Sequence, residues 1–400
     1  MVGMIESLSI EQARKLVLLA QHLPSLKKDS GGPAATRSTI EHLGYIQIDT
    51  ISVVERAHHH TLWNRNPGYK DEHLDKLLRK HHIFEYWSHA ASYLPMRDYR
   101  FSLIRKKAIA SGSLKHWYTP DPKLMKFVYE RIRSEGPLMA KDFESPTISK
   151  GGWSSKPTKR ALEALFMRGD LMVPYRINFH KVYNLTERVV PSDLDTSVPT
   201  PQEYARFLIQ RYLQANGIGQ PEEITYLQKN NTRELVTRTL KEMVLNKELI
   251  QVRMGDENYY TLPASLDLLN KRLARSRLKI LSPFDNLIIQ RKRTSKLFDF
   301  DYTLECYLPE TKRRFGFFSL PVLWDATLVA RMDCKAERKQ GLLHIHHLVL
   351  EPRIRKIDAF VDALVKELRS FAVFNTCNTI KVHNTSPAEI KSLLEKEMAA

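Results

Sequence analysis

The sequence predicts an α+β fold: three tandem winged-helix (helix-turn-helix) units followed by a β-rich C-terminal domain with a basic hairpin. Three observations lead there. Helix-spaced apolar residues alternate with short strands through residue 270, two of the helix–hairpin stretches repeat each other, and β formers become dense from about residue 276. A chain of 400 residues is too long for one ordinary core. We divide it at 1–118, 119–196, 197–270 and 271–400.

In the first segment, SIEQARKLVLLAQHL has Ser9 as a helix cap and Ala13, Leu16, Val17 and Ala20 at helical spacing. After DSGGPAAT, a second helix is expected to start at Thr36 or Ser38 and to stop near Gly44. GYIQIDT follows and reads as extended, with Tyr45, Gln47 and Asp49 on one face and Ile46 and Ile48 on the other. The second segment runs from KLMKFVYERIRSEG through a helix and two strands to NLTER. The third closes with NTRELVTRTLKEMVLNKELIQVRMGDENYYTLP in the same order. Leu162, Leu165, Leu171, Tyr183 and Leu185 align with Leu240, Met243, Leu249, Tyr260 and Leu262, as repeated supersecondary units would. In the last segment we expect a hairpin over 304–321 whose tip groups Lys312, Arg313 and Arg314.

Charge restricts the partners. Lys and Arg total 62 against 45 Asp and Glu, a net +17, and residues 271–340 alone carry +8. Such an excess favours polyanions, above all nucleic acid. Three scattered cysteines make neither a disulfide framework nor a zinc site. No apolar run is long enough to span a bilayer. We expect a soluble cytoplasmic protein, associated with the nucleoid, and no membrane partner.

No phosphate-cradling glycine loop, GxSxG elbow or HExxH helix is present, which disfavours NTP-driven and metallohydrolase chemistry. His58, His59 and His60 diverge on any regular element, and His344, His346 and His347 have no evident completing ligand, so neither run is expected to hold metal. Cys306 and Cys334 read as core residues. EYWSHAASYLP is different. In an extended stretch Glu85, Trp87 and His89 share a face, as Gln47 and Asp49 do, and two such ribbons could line one cleft.

IQIDTISVV, EYWSHAASYLP, SPFDNLIIQRKR, LFDFDYTLECYLP and LVARMDCKAER occur in an order that resembles the bacterial AlkZ-like family, winged-helix DNA glycosylases that unhook interstrand crosslinks and excise N-alkylpurines. The resemblance extends from the first helix to about residue 352. It implies a catalytic Gln–apolar–Asp pair, here Gln47 and Asp49, a basic hairpin that probes the minor groove, and no cofactor or metal. Double-stranded DNA with alkylated or crosslinked purines is the implied substrate of a monomeric enzyme. Glu55, Trp87 and His89 are expected around that pair. Arg291, Lys292 and Arg293 (on a strand pattern), Lys312, Arg313 and Arg314, and Lys156, Lys159 and Arg160 are expected at phosphates.

The implied chemistry explains the polarity of GYIQIDT. An N7-alkylguanine is cationic and already a good leaving group, so no strong general acid is needed. The oxocarbenium-like sugar instead needs a nearby anion and a held water, which a carboxylate and an amide one residue apart can supply. No catalytic lysine is inferred, so an abasic site without strand cleavage is expected. A winged-helix transcription regulator with an effector-binding C-terminal domain is the alternative. It would need a dimer and a preferred sequence, and no long heptad segment serves dimerisation.

Overall fold

The computed structural model describes residues 7–24, 31–115, 121–143 and 157–399. The expected α+β mixture is found, as helices distributed among several small sheets. None of the described helices is long and apolar enough to cross a membrane. Packing sorts the chain into two compact units. One comprises residues 1–31, 42–69 and 205–400, and the other residues 32–41 and 70–204. The compact units gather stretches that are distant in sequence.

In the first unit, Ser9 caps the helix Ile10–Ala20, as its sequence predicts, and Gln12 completes a capping box with it. Leu16, Val17 and Leu19 of that helix enter a core shared with Val252, Tyr259, Leu287, Ile288, Leu297 and Phe300. The strand Ile218–Gly219 and the hairpin Ile250–Met254/Glu257–Thr261 form a three-stranded antiparallel sheet beside the helix Asn230–Leu245. The C-terminal region is a five-stranded sheet, in the order Lys279–Ile280, Ser319–Trp324, Thr327–Glu337, Leu342–Leu350 and Thr379–Ser386. All its pairings are antiparallel except the last, which the helix Ile357–Phe374 makes parallel by crossing over.

A buried ion pair ties this unit together. Both guanidinium Nη atoms of Arg65 donate to the Asp285 carboxylate, at 2.7 and 2.8 Å, and neither side chain is exposed. Arg65 also donates to the carbonyls of Gln21 and Thr61 and to the Gln21 side chain. Gln21 in turn donates to Ala215 and Asn216.

The second unit contains the hairpin Ile83–Trp87/Ala91–Pro95, the helices Tyr99–Ala110, Pro122–Glu135 and Pro157–Arg168, and a sheet in which Leu138–Met139 and Leu171–Ile177 flank His180–Leu185. The repeat is visible in packing. Leu162, Leu165, Leu171, Tyr183 and Leu185 are buried here, as are Leu240, Met243, Leu249 and Tyr260 in the first unit. Lys106 is buried among aromatic rings, with Nζ 4.0 Å from the Tyr99 centroid and 4.8 Å from that of Tyr86.

Three local expectations need correction. The second helix starts earlier, at Pro33, whose fixed φ suits a first turn, and runs to Leu43; Gly44 is the stop, with φ +77°. Residues 291–293 open the helix Arg291–Phe298 instead of forming a strand. No hairpin spans 304–321. The buried Glu305 carboxylate accepts the backbone N–H groups of Arg314 and Phe315, both at 2.7 Å, which folds 305–315 into a compact loop with two 3₁₀ turns. The hairpin of this region lies further on, with Asp325 and Ala326 at positive φ joining Ser319–Trp324 to Thr327–Glu337.

Two stability measurements follow. Asp285→Ala leaves the Arg65 charge buried and uncompensated, and urea unfolding should show a loss of about 3–5 kcal/mol. Burial lowers the Lys106 ammonium from its ordinary 10.5 to about 7. The unfolded chain therefore holds this proton more tightly, so the wild type should gain stability as pH rises from about 7 towards 10.5, and Lys106→Met should lack that component of the gain.

Candidate active site

The stop at Gly44 sets up the site. Its left-handed backbone ends the helix, and a Cβ there would run into the Arg211 side chain, so glycine is required twice over. Ile46 is buried, Gln47 is half-buried, and the strand ends after these two residues, shorter than the extended GYIQIDT that was expected. Beyond it the chain turns on Asp49, whose Oδ2 accepts the N–H of Ile51 at 3.2 Å.

Asp49 is half-buried, and this desolvation raises its pKa above the ordinary carboxylate value. The amides of Thr50 and Ile51 and the charge of Arg56 oppose the rise without cancelling it. The Asp49 charge reaches Cys306 and Tyr307. Burial first, and then that anion, push the Cys306 thiol up; burial, the neighbouring Cys306 and the Asp49 anion do the same to the Tyr307 phenol. Tyr307 is 74% exposed, an unusual state for a large aromatic side chain. The compact 305–315 loop thus stands beside the carboxylate and presents Tyr307, Lys312 and Arg314 to solvent.

Both ends of the segment are fixed. Upstream, Asn286 Nδ2 donates to the Tyr45 carbonyl at 3.0 Å. Asn286 follows Asp285, so the DN of SPFDN holds the ion pair and the entry to the site with adjacent residues. Downstream, the Ala336 N–H donates to the Val53 carbonyl at 2.9 Å, Arg338 donates to Ser52 and to the Glu55 carboxylate, and the Glu55 N–H donates to Asn375 Oδ1 at 2.7 Å. Glu55 is therefore an anchoring residue. His58 and His60 are buried on the helix Ala57–Arg65, and His60 Nε2 donates to the Ile280 carbonyl at 2.8 Å.

Several of the other expected site residues belong to the second unit. Trp87, under the Arg105 guanidinium, and His89, in the turn that follows, are half-buried residues of the second unit. Glu85 there is buried and paired in two-pronged fashion with Arg176, at 2.5 and 2.7 Å, so it holds the unit together. Lys159 is exposed and Arg160 half-buried on the helix Pro157–Arg168; Lys156 lies outside the described residues.

The basic residues of the first unit also divide. Lys292 is exposed. Arg291 donates to the carbonyls of Ile288 and Pro283 and stacks on Tyr302, and Arg293 is buried. Arg313 donates to the Leu308 carbonyl and stacks on Phe317. A cleft of about 820 Å³, lined by Gln220, Glu223, Tyr226, Gln290 and Arg291–Arg293, was not foreseen. Asn286, Tyr307 and the Ala336–Arg338 anchors were missed as well. Only the exposed tyrosine has a local signal, an aromatic residue in a basic, Pro-containing stretch.

The family described as DNA glycosylase AlkZ-like matches residues 40–374. The chain belongs to this family. It is an AlkZ-like DNA glycosylase, an enzyme of DNA repair acting on the N-glycosidic bond. Its fold is similar to that of Streptomyces sahachiroi DNA glycosylase AlkZ, with a TM-score of 0.62 at 17% identity over 94% of this chain and 99% of the other. For this AlkZ-like chain, the raised pKa of Asp49 means that its charge opposes folding at neutral pH. Asp49→Asn should therefore melt at or above the wild-type temperature at pH 7. A marked drop would make the carboxylate a structural cap instead.

Proposed function

We propose that the protein is a monofunctional glycosylase that hydrolyses N-alkylated purines of the N7-alkylguanine type and unhooks purine crosslinks in duplex DNA, with Asp49 and Gln47 as its catalytic pair. The observation that carries this reading is the half-buried Asp49 carboxylate, turned onto backbone amides beside a loop with an exposed aromatic and exposed cations. A partly desolvated anion is what a cationic sugar requires. One unit charge pair at about 4 Å in an effective dielectric of 20 contributes roughly 4 kcal/mol, on the order of a thousandfold in rate before desolvation is subtracted.

In this reading Asp49 stabilises the oxocarbenium-like sugar and takes a proton from the attacking water. Gln47, two residues earlier, orients that water with its amide and adds no charge. Among the described residues the cation acting on Asp49 is Arg56, a guanidinium that forms no Schiff base under these conditions, in keeping with an intact backbone and an abasic product. Of the expected phosphate contacts among the described residues, Lys292, Lys312, Arg314 and Lys159 are exposed, and exposed Tyr307 is read as stacking on a base or a deformed step. The two helix-plus-three-strand repeats are read as winged helices, which suit a duplex ligand.

The test uses an end-labelled duplex with one nitrogen-mustard crosslink and a second duplex with N7-methylguanine. Wild type should unhook the first and release the base from the second, leaving alkali-labile sites and no direct nicks. Asp49→Asn should lose at least a hundredfold and Gln47→Ala about tenfold or more. The rate should fall on the acid side, through a pKa above the ordinary aspartate value. Absence of both activities in folded wild type would overturn the proposal.

A further inference from the structure

The C-terminal sheet brings together three imidazoles that are dispersed in sequence. Parallel pairing sets Ile345 against Val382 and His347 against Asn384, and so places His346 level with His383. His344, His346 and His383 alternate with the buried Leu343, Ile345 and Val382, and therefore share the opposite face of the sheet. Their ring centroids form a near-equilateral triangle of 5.6, 5.2 and 5.4 Å, with rings within 25° of parallel. His344 Nδ1 lies 2.9 Å from His383 Nε2. On the other side of the His344 ring, Nε2 lies 3.4 Å from the Glu337 carboxylate.

We propose that His344, His346 and His383 form a binding site for a divalent transition-metal ion of the zinc, copper or nickel class, with Glu337 orienting His344. The site is independent of the glycosylase reading.

Glu337 can only accept from His344 Nε2–H, which leaves the lone pair on Nδ1, the atom facing His383. A carboxylate behind a ligating imidazole is the usual support for such a ligand. Two nitrogens each about 2.05 Å from one metal lie about 2.9 Å apart at a right angle and about 3.3 Å apart at the tetrahedral angle; the observed separation falls at the short end of this range, and because the two nitrogens face each other in line, metal binding turns both rings. His346 is exposed and stacks beside the other two rings, and it joins them as a ligand by turning a ring nitrogen towards them. Imidazole ligands select zinc, copper and nickel over magnesium and calcium. Lys381 and Lys391 act on His383, and Lys335 pairs with Glu337; these cations weaken the site without occupying a ligand position.

The experiment uses full-length, tag-free protein stripped with chelator and titrated with Zn²⁺ by calorimetry. Nitrogen couplings are then read by electron paramagnetic resonance with Cu²⁺. Wild type should bind one equivalent more than the His344→Ala/His383→Ala double variant, and His346→Ala, altered at an exposed position, should bind at least tenfold more weakly at that site. His347→Ala, whose ring meets Ser386, should match wild type. The copper spectrum should report two or more nitrogens in wild type and lose them in the double variant. Equal zinc stoichiometry and affinity in wild type and the folded double variant would overturn the proposal and leave a hydrogen-bonded imidazole pair, as would the absence of any zinc binding by wild type.

Discussion

The Arg65–Asp285 ion pair is the constraint on which the first unit depends. Two ions with no solvent exposure are costly, and they persist only because each remaining polar position is met. Arg65 satisfies the carbonyl of Gln21, just past the first helix, while Asp285 accepts the Leu287 N–H and starts the turn that leads to Arg291–Phe298. Four distant stretches, near residues 21, 65, 215 and 285, are thereby held at one point. Asn286, one residue along, then reaches the Tyr45 carbonyl. The position of the Gln47–Asp49 segment is inherited from this pair through a single peptide step.

Where local chemistry decides the outcome, the sequence was readable. Ser9 and Gln12 make the capping box, Gly44 terminates its helix, and the spacing of Leu162, Leu165 and Leu171 against Leu240, Met243 and Leu249 marks two copies of one unit. The failures occur where distant residues decide. Nothing local in CYLPETKRRFG announces that Glu305 will bury its carboxylate against two amides and collapse the expected hairpin. Arg291, Lys292 and Arg293 read as a strand beside β formers, yet they open a helix whose Leu297 and Phe298 enter the core. His383 could not be assigned to His344 and His346 because a helical crossover sets their register.

The same division runs through the site. The half-burial of Gln47 and Asp49 was legible because a polar pair in an apolar ribbon is locally conspicuous. Their supports were not, since Asn286, Arg338 and Asn375 reach the segment with side chains, and Ala336 with its backbone N–H, from stretches far away in the sequence. Charge was legible only in total. A net +17 identifies the class of partner, but burial decides which cations are available. In the run 291–293, Arg293 is buried, Arg291 satisfies two carbonyls, and Lys292 alone is freely exposed.

A raised carboxylate pKa is a stability cost, and the anchors around Asp49 show how that cost is tolerated. Between the Tyr45 carbonyl and Ser52 the segment has its own support in buried Ile46 and the turn on Asp49. The rest is imposed from outside, by the ion-pair loop at one end and by Ala336, Arg338 and Asn375 at the other. Fixing both ends of a short segment removes the relaxed alternatives in which the carboxylate would return to water. The downstream anchors flank Glu337 on the same strand end, so the edge that carries the imidazole cluster also holds the segment that carries Asp49. The end of the strand Thr327–Glu337 is therefore shared by the anchors of the Asp49 segment and by the carboxylate that meets His344.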